Sequence, residues 1–484
     1  MPFPTIRVLA FVLGVAGAAM MPPLAASVWY GEGWRNMAAW LIPAAASWTA
    51  VAVLWLFGRG SRSGVGVGVG QLEARSAFRV VGGVWVAMGL FGAIPLLFCG
   101  AFPSFTDAVF ESVSGFTTTG ASVATDVEAL PHSVNLWRCL THWLGGMGVI
   151  ALAVALVPLL GVGGFRLIKA ETTGPEKGRV TPRIADTAKA LWAIYATLTA
   201  AQAVMLHFAG LGWFDAICHS FSTLGTGGFS TRNASVGAFA NPAVEWICTV
   251  FMLAATVNFA LYYKLATRKF DEVFRDSEFR SFLAIVAIAI TGVSLAAFRD
   301  CGTVGASLRH SSFQVASIIS TTGFMTADYA AWSSAAQVLL FALFFIGGCS
   351  GSTAGGIKII RWTVLAKQLR NELRRIIHPR EVMTLRINGL PGREEFVPLV
   401  AAFVFLYLML VLAASFAGAL AGLGLVESIS AALSMAGNIG PAFGQLGPTA
   451  NYAALPDALK WFYSFTMLAG RLEIYTMLIL VRVV

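Results

Sequence analysis

Charge is scarce in this chain: only 12% of its 484 residues are Asp, Glu, Lys or Arg, against 57% hydrophobic, at a mean hydropathy of +0.74. That scarcity excludes a soluble globular protein, because a core of this size cannot hide so much apolar surface. The six cysteines, Cys99, Cys139, Cys218, Cys248, Cys301 and Cys349, form no CxxC pair, and the six histidines show no HExxH or similar spacing. The cysteines read as small core thiols, and no transition-metal site is indicated. No nucleophile or phosphate-cradling motif stands beside Asp107 with Glu111 or Asp215 with His219. Their helical spacing alone does not make a membrane enzyme, and Asp107 is explained by dipole capping at a helix start.

The net charge of +9 and a pI near 9.4 do not point to nucleic acid either, because no folded soluble domain gathers the basic residues. They sit in alternate loops, in groups around Arg59 to Arg79, Arg166 to Lys189, Lys264 to Arg280 and Arg361 to Arg380. Loops rich in Lys and Arg face the cytoplasm, so the intervening loops open outward into the external medium.

What is abundant is apolar sequence in runs of about 20 residues, enough for roughly ten membrane spans. The first, at 7–29, contains Pro22-Pro23-Leu24-Ala25-Ala26-Ser27, which has the look of a signal-peptide cleavage region. A retained helix is expected, which makes the span count even and places both termini in the cytoplasm. A second helix is expected at 37–57, and the Gly-rich stretch 60–70 reads as a flexible connector.

From residue 76 onward one short phrase is written four times, each between two long apolar segments. The copies are Thr118-Thr119-Gly120, Gly225-Thr226-Gly227, Thr321-Thr322-Gly323 and Asn438-Ile439-Gly440, and their last glycines are 107, 96 and 117 residues apart. Each copy follows a long helix and a half-helix, at 76–99 and 105–116, 185–209 and 213–223, 279–298 and 306–320, and 396–420 and 426–436. A second long helix comes after, at 136–160, 244–266, from 332 onward, and at 459–481. The half-helices are too short to cross about 30 Å of hydrocarbon, so they must dip in and return, and their loops belong where protein or a watery cavity surrounds them. The expected fold class is an all-α polytopic membrane protein in a lipid bilayer: four pseudo-symmetric helix, re-entrant loop, helix repeats around one ion pore, plus two N-terminal helices. Its divisions are 1–75 for the two extra helices and connector, then 76–165, 166–270, 271–390 and 391–484 for the four repeats.

Such loops suit a cation filter. A dehydrated cation needs oxygens in place of water, and backbone carbonyls turned to an axis supply them without fixed charge. Glycine permits the conformations that aim successive carbonyls one way, and Thr hydroxyls can add oxygen. Because Gly225 and Asn438 replace the Thr found at Thr118 and Thr321, the symmetry is imperfect, and a wider, less selective filter is expected.

Two further features stand out. The second long helix of the third repeat is interrupted by Gly347-Gly348-Cys349-Ser350-Gly351-Ser352-Thr353-Ala354-Gly355-Gly356-Ile357-Lys358. So many small residues are expected to unwind it into a gate below the filter, unless they form a close-packing seam. Arg471 lies near the middle of the last span, where a charge faces a cavity as a barrier to passing cations or pairs structurally with Glu473 or a carbonyl.

Across essentially its whole length the chain resembles the Trk/Ktr/HKT superfamily of potassium transporters, and within it the bacterial Trk-type membrane subunit. The resemblance rests on the run from Ser114 to Ala121, Trp143-Leu144-Gly145-Gly146-Met147-Gly148, and Gly227-Gly228-Phe229-Ser230-Thr231. It rests also on Val257-Asn258-Phe259-Ala260-Leu261-Tyr262-Tyr263, the run 351–358, and Gly470-Arg471-Leu472-Glu473. It implies potassium uptake through a pore in each protomer at a bacterial cytoplasmic membrane, driven by the membrane potential, with K+ as the transported ion. Filter glycines at Gly120, Gly227, Gly323 and Gly440, an intramembrane gate at 347–358 and Arg471 below the filter are implied with it. So are a homodimer and a cytosolic regulatory ring that binds ATP, ADP or NAD; no organic cofactor is implied on this chain. His142 stands where glutamine is expected, and Gly120 favours potassium, since sodium-admitting members tend to carry serine there. The rival reading is a proton- or sodium-coupled symporter, for which His142 and His207 are the candidate titrating groups.

Overall fold

A computed structural model describes residues 3–58, 74–159, 184–380, 386–388, 390–391 and 396–480. The expected connector at 60–70 and most of the basic group 166–189 lie outside the described residues. Apart from one antiparallel pair, Arg386–Ile387 with Leu390–Pro391, regular structure among the described residues is helical.

The first expected span is two helices, Phe3–Ala18 and Met21–Trp29. Pro22 and Pro23 dictate the break: proline lacks an N–H and fits only the first turn of a helix, where Met21–Trp29 carries it. Trp34–Gly58 follows, and then the four repeats. Their outer helices are Ala74–Phe98, Ile184–Phe208, Ser277–Ala296 and Phe396–Leu420. Their pore helices are Phe105–Phe116, Trp213–Gly225, Val304–Ile319 and Leu425–Gly437.

The inner helices depart from the expected continuous spans. Only the first, His132–Leu159, runs unbroken. The second, expected whole over 244–266, is Pro242–Thr256 and Phe259–Ala266, bent by 95°. Asn258 forces the bend by leaving the helix and capping the next one through Ala260 N–H. The third is Ser334–Leu343, an unwound segment and Ile359–Ile377; the fourth is Asp457–Arg471 and Tyr475–Leu480, separated at Glu473 and Ile474, both left-handed at φ 55° and 44°. Among the described residues six stretches, or seven with the bent pair, are long and apolar enough to cross a membrane; the expectation of roughly ten also counted these broken or polar inner helices.

The outer helices expose apolar side chains such as Ile288, Leu295, Leu412 and Phe416, a surface matched to hydrocarbon. Pore helices are the opposite beyond their first turns: buried, and rich in Ser and Thr whose hydroxyls bond back to helix carbonyls, as Ser220 does to Ala216. Inner helix 1 packs on pore helix 2, inner helix 2 on pore helix 3 and inner helix 4 on pore helix 1, so neighbouring repeats interlock.

Ion pairs fasten two of these junctions and join inner helix 1 to the pore helix of its own repeat. Lys460 meets Asp107 at 2.7 Å, Arg309 meets Glu245 at 2.9 Å, and Arg138 meets Glu111 at 2.7 Å. The last pair is buried, and Arg138 also donates to Asn135 and to the Ser230 carbonyl while lying over the Phe229 ring. Removing one member strands the other charge, so Arg138→Leu is expected to cost about 3–5 kcal/mol. Thermal unfolding of the detergent-purified protein would register this as a large fall in midpoint, and a midpoint within a degree of wild type would refute it.

Candidate functional site

The four pore helices end in one repeated backbone device. Thr118, Thr226, Thr321 and Asn438 are left-handed at φ 55°, 55°, 56° and 56°, and the glycine two residues on has φ 77°, 85°, 80° and 99° at Gly120, Gly228, Gly323 and Gly440. The N–H between them reaches back five residues in every copy: Thr119 to Ser114, Gly227 to Ser222, Thr322 to Ser317 and Ile439 to Ser434, at 2.8 to 2.9 Å. This is the Schellman termination of a helix, normally given to glycine at its left-handed position. Three threonines and an asparagine hold it here against a cost of about 1–3 kcal/mol each.

This device corrects the second phrase by one residue. The structural counterpart of Gly120 is Gly228, not Gly227, and the counterpart of Thr118 is Thr226, not Gly225. The second loop therefore lacks no hydroxyl at that position, and one support for a wider filter falls away.

The four loops close on one another in order. A Cβ on Gly120 would lie 1.9 Å from the Gly227 carbonyl oxygen, one on Gly228 2.0 Å from that of Thr322, one on Gly323 2.1 Å from that of Ile439, and one on Gly440 2.5 Å from that of Thr119. Each repeat thus touches the next and the fourth returns to the first: a closed ring in which only glycine fits at four points. The four helix C-termini converge on it, and their dipoles favour a cation at the centre.

Most side chains around the ring serve structure. Thr117 and Thr119 share a hydrogen bond of 2.8 Å, Ser320 and Thr322 one of 2.7 Å, and Thr321 Oγ1 accepts from Gly355 N at 2.7 Å. Asn438 Nδ2 donates to Thr119 Oγ1 at 2.9 Å and to the Met467 carbonyl at 3.0 Å. Thr118 Oγ1 and Asn438 Oδ1 are buried without a hydrogen-bonding partner among the described residues. Among the described residues no cluster of three or more His, Cys, Asp or Glu can hold a metal, so the ring offers neutral oxygen alone.

Directly beneath lies the unwound segment between Leu343 and Ile359. Gly347 N–H donates to the Ile357 carbonyl at 2.9 Å, closing it into a loop, and a Cβ on Gly355 would stand 2.3 Å from the carbonyl oxygen of Gly437 at the end of pore helix 4. The break in inner helix 2 meets it: Cys349 N–H donates to Thr256 and Phe259 N–H to Gly351, at 3.0 and 3.1 Å. Arg471, buried at the end of its helix, donates to the Thr353 carbonyl at 2.8 Å and to that of Gly145 at 3.2 Å. Its partners are therefore carbonyls of repeats 3 and 1; Glu473, the alternative partner in sequence, is paired with Arg361. Lys358 caps the Ala354 carbonyl.

The acidic and histidine candidates are all occupied. Asp107 holds Lys460, Glu111 holds Arg138, and Asp215 holds Arg232 and Thr231. His219 bonds to the Asp215 carbonyl and Ser230 Oγ. His142 bridges Gly115 O at 2.8 Å and Phe229 N–H at 3.1 Å, propping two filter loops, and His207 bonds to the Leu211 carbonyl, stacked on Trp213. In the outer loops Asn233 donates to Asp126 at 2.8 Å and, with the nearby Glu128 N–H, holds its carboxyl below the usual range. Sequence reasoning missed Gly228 and the breaks at Asn258 and Glu473. Phe229 after Gly228 matching Phe324 after Gly323 was the available signal for the first.

A closed ring of four re-entrant loops inside a helical membrane body defines a multi-pass transport protein, not an enzyme. The model of the TrkH family, described as cation transport protein, matches residues 48–484. A Trk system potassium uptake protein TrkH from Halomonas elongata is 40% identical over 481 residues, 98% of this chain and 97% of its own. The TrkG protein of Escherichia coli is 35% identical, covering 97% of this chain and 96% of its own. The crystal structure of the potassium transporter TrkH from Vibrio parahaemolyticus matches at a TM-score of 0.85 and 34% identity, over 99% of this chain and 98% of that one. The chain belongs to the TrkH family of cation transport proteins.

Proposed function

We propose that this protein takes up potassium across a bacterial inner membrane through the ring of loops, driven by the membrane potential. The observation that carries the reading is the fourfold ring itself, a set of backbone carbonyls held by left-handed caps and glycines at a point where four helix dipoles converge. An inward cation gains about 2.3 kcal/mol per 100 mV and needs no other fuel. K+ is the substrate, met by Thr118, Thr119, Gly120, Thr226, Gly227, Gly228, Thr321, Thr322, Gly323, Asn438, Ile439 and Gly440.

The segment 347–358 acts as the gate, and Arg471 sets a barrier under the filter. The protomers pair as a homodimer with both termini cytoplasmic, and a cytosolic ring binding ATP, ADP or NAD docks on the basic inner loops; the family membership supports these assignments. The structural occupation of His142 and His207 favours a conductive path over proton coupling. Liposomes containing the purified protein alone, loaded with an imposed potential, are expected to accumulate potassium at a rate that follows voltage. A pH gradient at fixed voltage is expected to leave that rate unchanged; uptake that follows the pH gradient would favour the symporter, and no uptake by folded protein would refute the proposal.

A further inference from the structure

Glu278 is a buried carboxylate that the filter does not use. It is the second residue of outer helix 3, and its Oε1 accepts the backbone N–H of Ser350 at 2.7 Å and of Ile360 at 3.1 Å. Ser350 belongs to the unwound segment; Ile360 is in the first turn of the helix that follows it. One oxygen thus staples the segment to its exit helix, taking up a first-turn N–H that no helix can satisfy internally. The segment is made almost wholly of small residues and has few side chains of its own to hold it in place, so its backbone bonds decide where it sits.

The same helix terminus is clamped from the other side. Asp276 caps it by accepting Phe279 N–H at 2.8 Å, while its second oxygen accepts Asn388 Nδ2 at 2.9 Å; Asn388 Oδ1 in turn accepts Ser277 N–H at 2.8 Å. Asn388 is the left-handed turn residue, φ 50°, of the hairpin formed by Arg386–Ile387 and Leu390–Pro391. The clamp, at Asp276 and Ser277, directly precedes the carboxylate in the chain.

We propose that Glu278 is a positioning residue that latches the unwound segment beneath the filter, and that the hairpin carrying Asn388 sets the position of this latch. The proposal rests on the reading of that segment as the gate, and the test separates the two. Cys349 lies within the segment, buried, and serves as its reporter. Full-length protein in liposomes is treated with N-ethylmaleimide and labelling is followed cysteine by cysteine by mass spectrometry, alongside potassium flux. Glu278→Ala is expected to raise the Cys349 labelling rate about tenfold, with Cys139 and Cys218 still protected. Glu278→Gln keeps the accepting Oε1 and is expected to stay within about threefold of wild type, and Asn388→Ala to give a rise of about threefold.

Unchanged Cys349 labelling in Glu278→Ala overturns the proposal. If Cys139 and Cys218 also become labelled, the fold has been lost and Asn388→Ala decides, an unchanged rate there overturning it. Raised Cys349 labelling with unchanged flux upholds the latch and removes the gate role from the segment.

Discussion

Gly228→Ala is expected to abolish cation flux, lowering it about a hundredfold or more, in a protein that still folds and inserts. Two costs act together. At φ 85° an alanine is strained, and its Cβ would stand 2.0 Å from the Thr322 carbonyl oxygen, a backbone atom fixed by the Schellman bond of the third loop. Left-handed strain and overpacking each cost about 1–3 kcal/mol, so together they reduce the native ring by about two orders of magnitude. The ring relieves them only by opening between repeats 2 and 3, which turns carbonyls away from the axis. Thr226→Gly is the informative companion: it removes left-handed strain at φ 55° and is expected to retain at least about a third of wild-type flux. Rubidium uptake into liposomes reads both variants. Near-normal uptake by Gly228→Ala would show that this residue is not part of the ring.

The architecture was legible in the sequence because membranes leave few choices. Long apolar helices, short amphipathic ones and recurring glycine phrases dictate a re-entrant fourfold design, and the four pore helices fall within two residues of their expected ends. The register of the second loop was not legible. Gly225-Thr226-Gly227-Gly228 offers two glycine phrases, and only backbone dihedrals distinguish the one that turns left-handed at Thr226. The interruption in the third inner helix was visible as a run of small residues, but the breaks in the second and fourth were not. Asn258 and Glu473 sit in apolar sequence that reads as continuous helix, and what stabilises their breaks is distant: the Gly351 carbonyl for Phe259 and the Arg361 guanidinium for Glu473. Partners from other repeats carry no signal in local composition. The same holds for Arg471, whose neighbour Glu473 was the natural partner in sequence, while the fold gives that carboxylate to Arg361 and leaves Arg471 to two carbonyls.

Arg471→Ala is accordingly expected to raise basal cation flux about tenfold. The guanidinium is bonded to the Thr353 and Gly145 carbonyls, and the expectation has two physical grounds. A guanidinium charge opposes any cation that comes within about 10 Å by about 1.7 kcal/mol at an effective dielectric near 20, somewhat more than a tenfold slowing. As a planar donor with five N–H groups, it ties the unwound segment of repeat 3 to inner helix 1, a bridge between two carbonyls that a point-charge ammonium holds poorly. Arg471→Lys separates the two roles because it keeps the charge and weakens the tie. If the barrier is electrostatic, the lysine variant stays near wild-type flux while the alanine variant leaks. If the tie dominates, both variants leak and Cys349 in the unwound segment becomes reactive in both. Flux at wild-type level in Arg471→Ala would leave the arginine with a packing role only, and the resistance of the pore would then have to reside in the backbone contacts between Gly355 and Gly437.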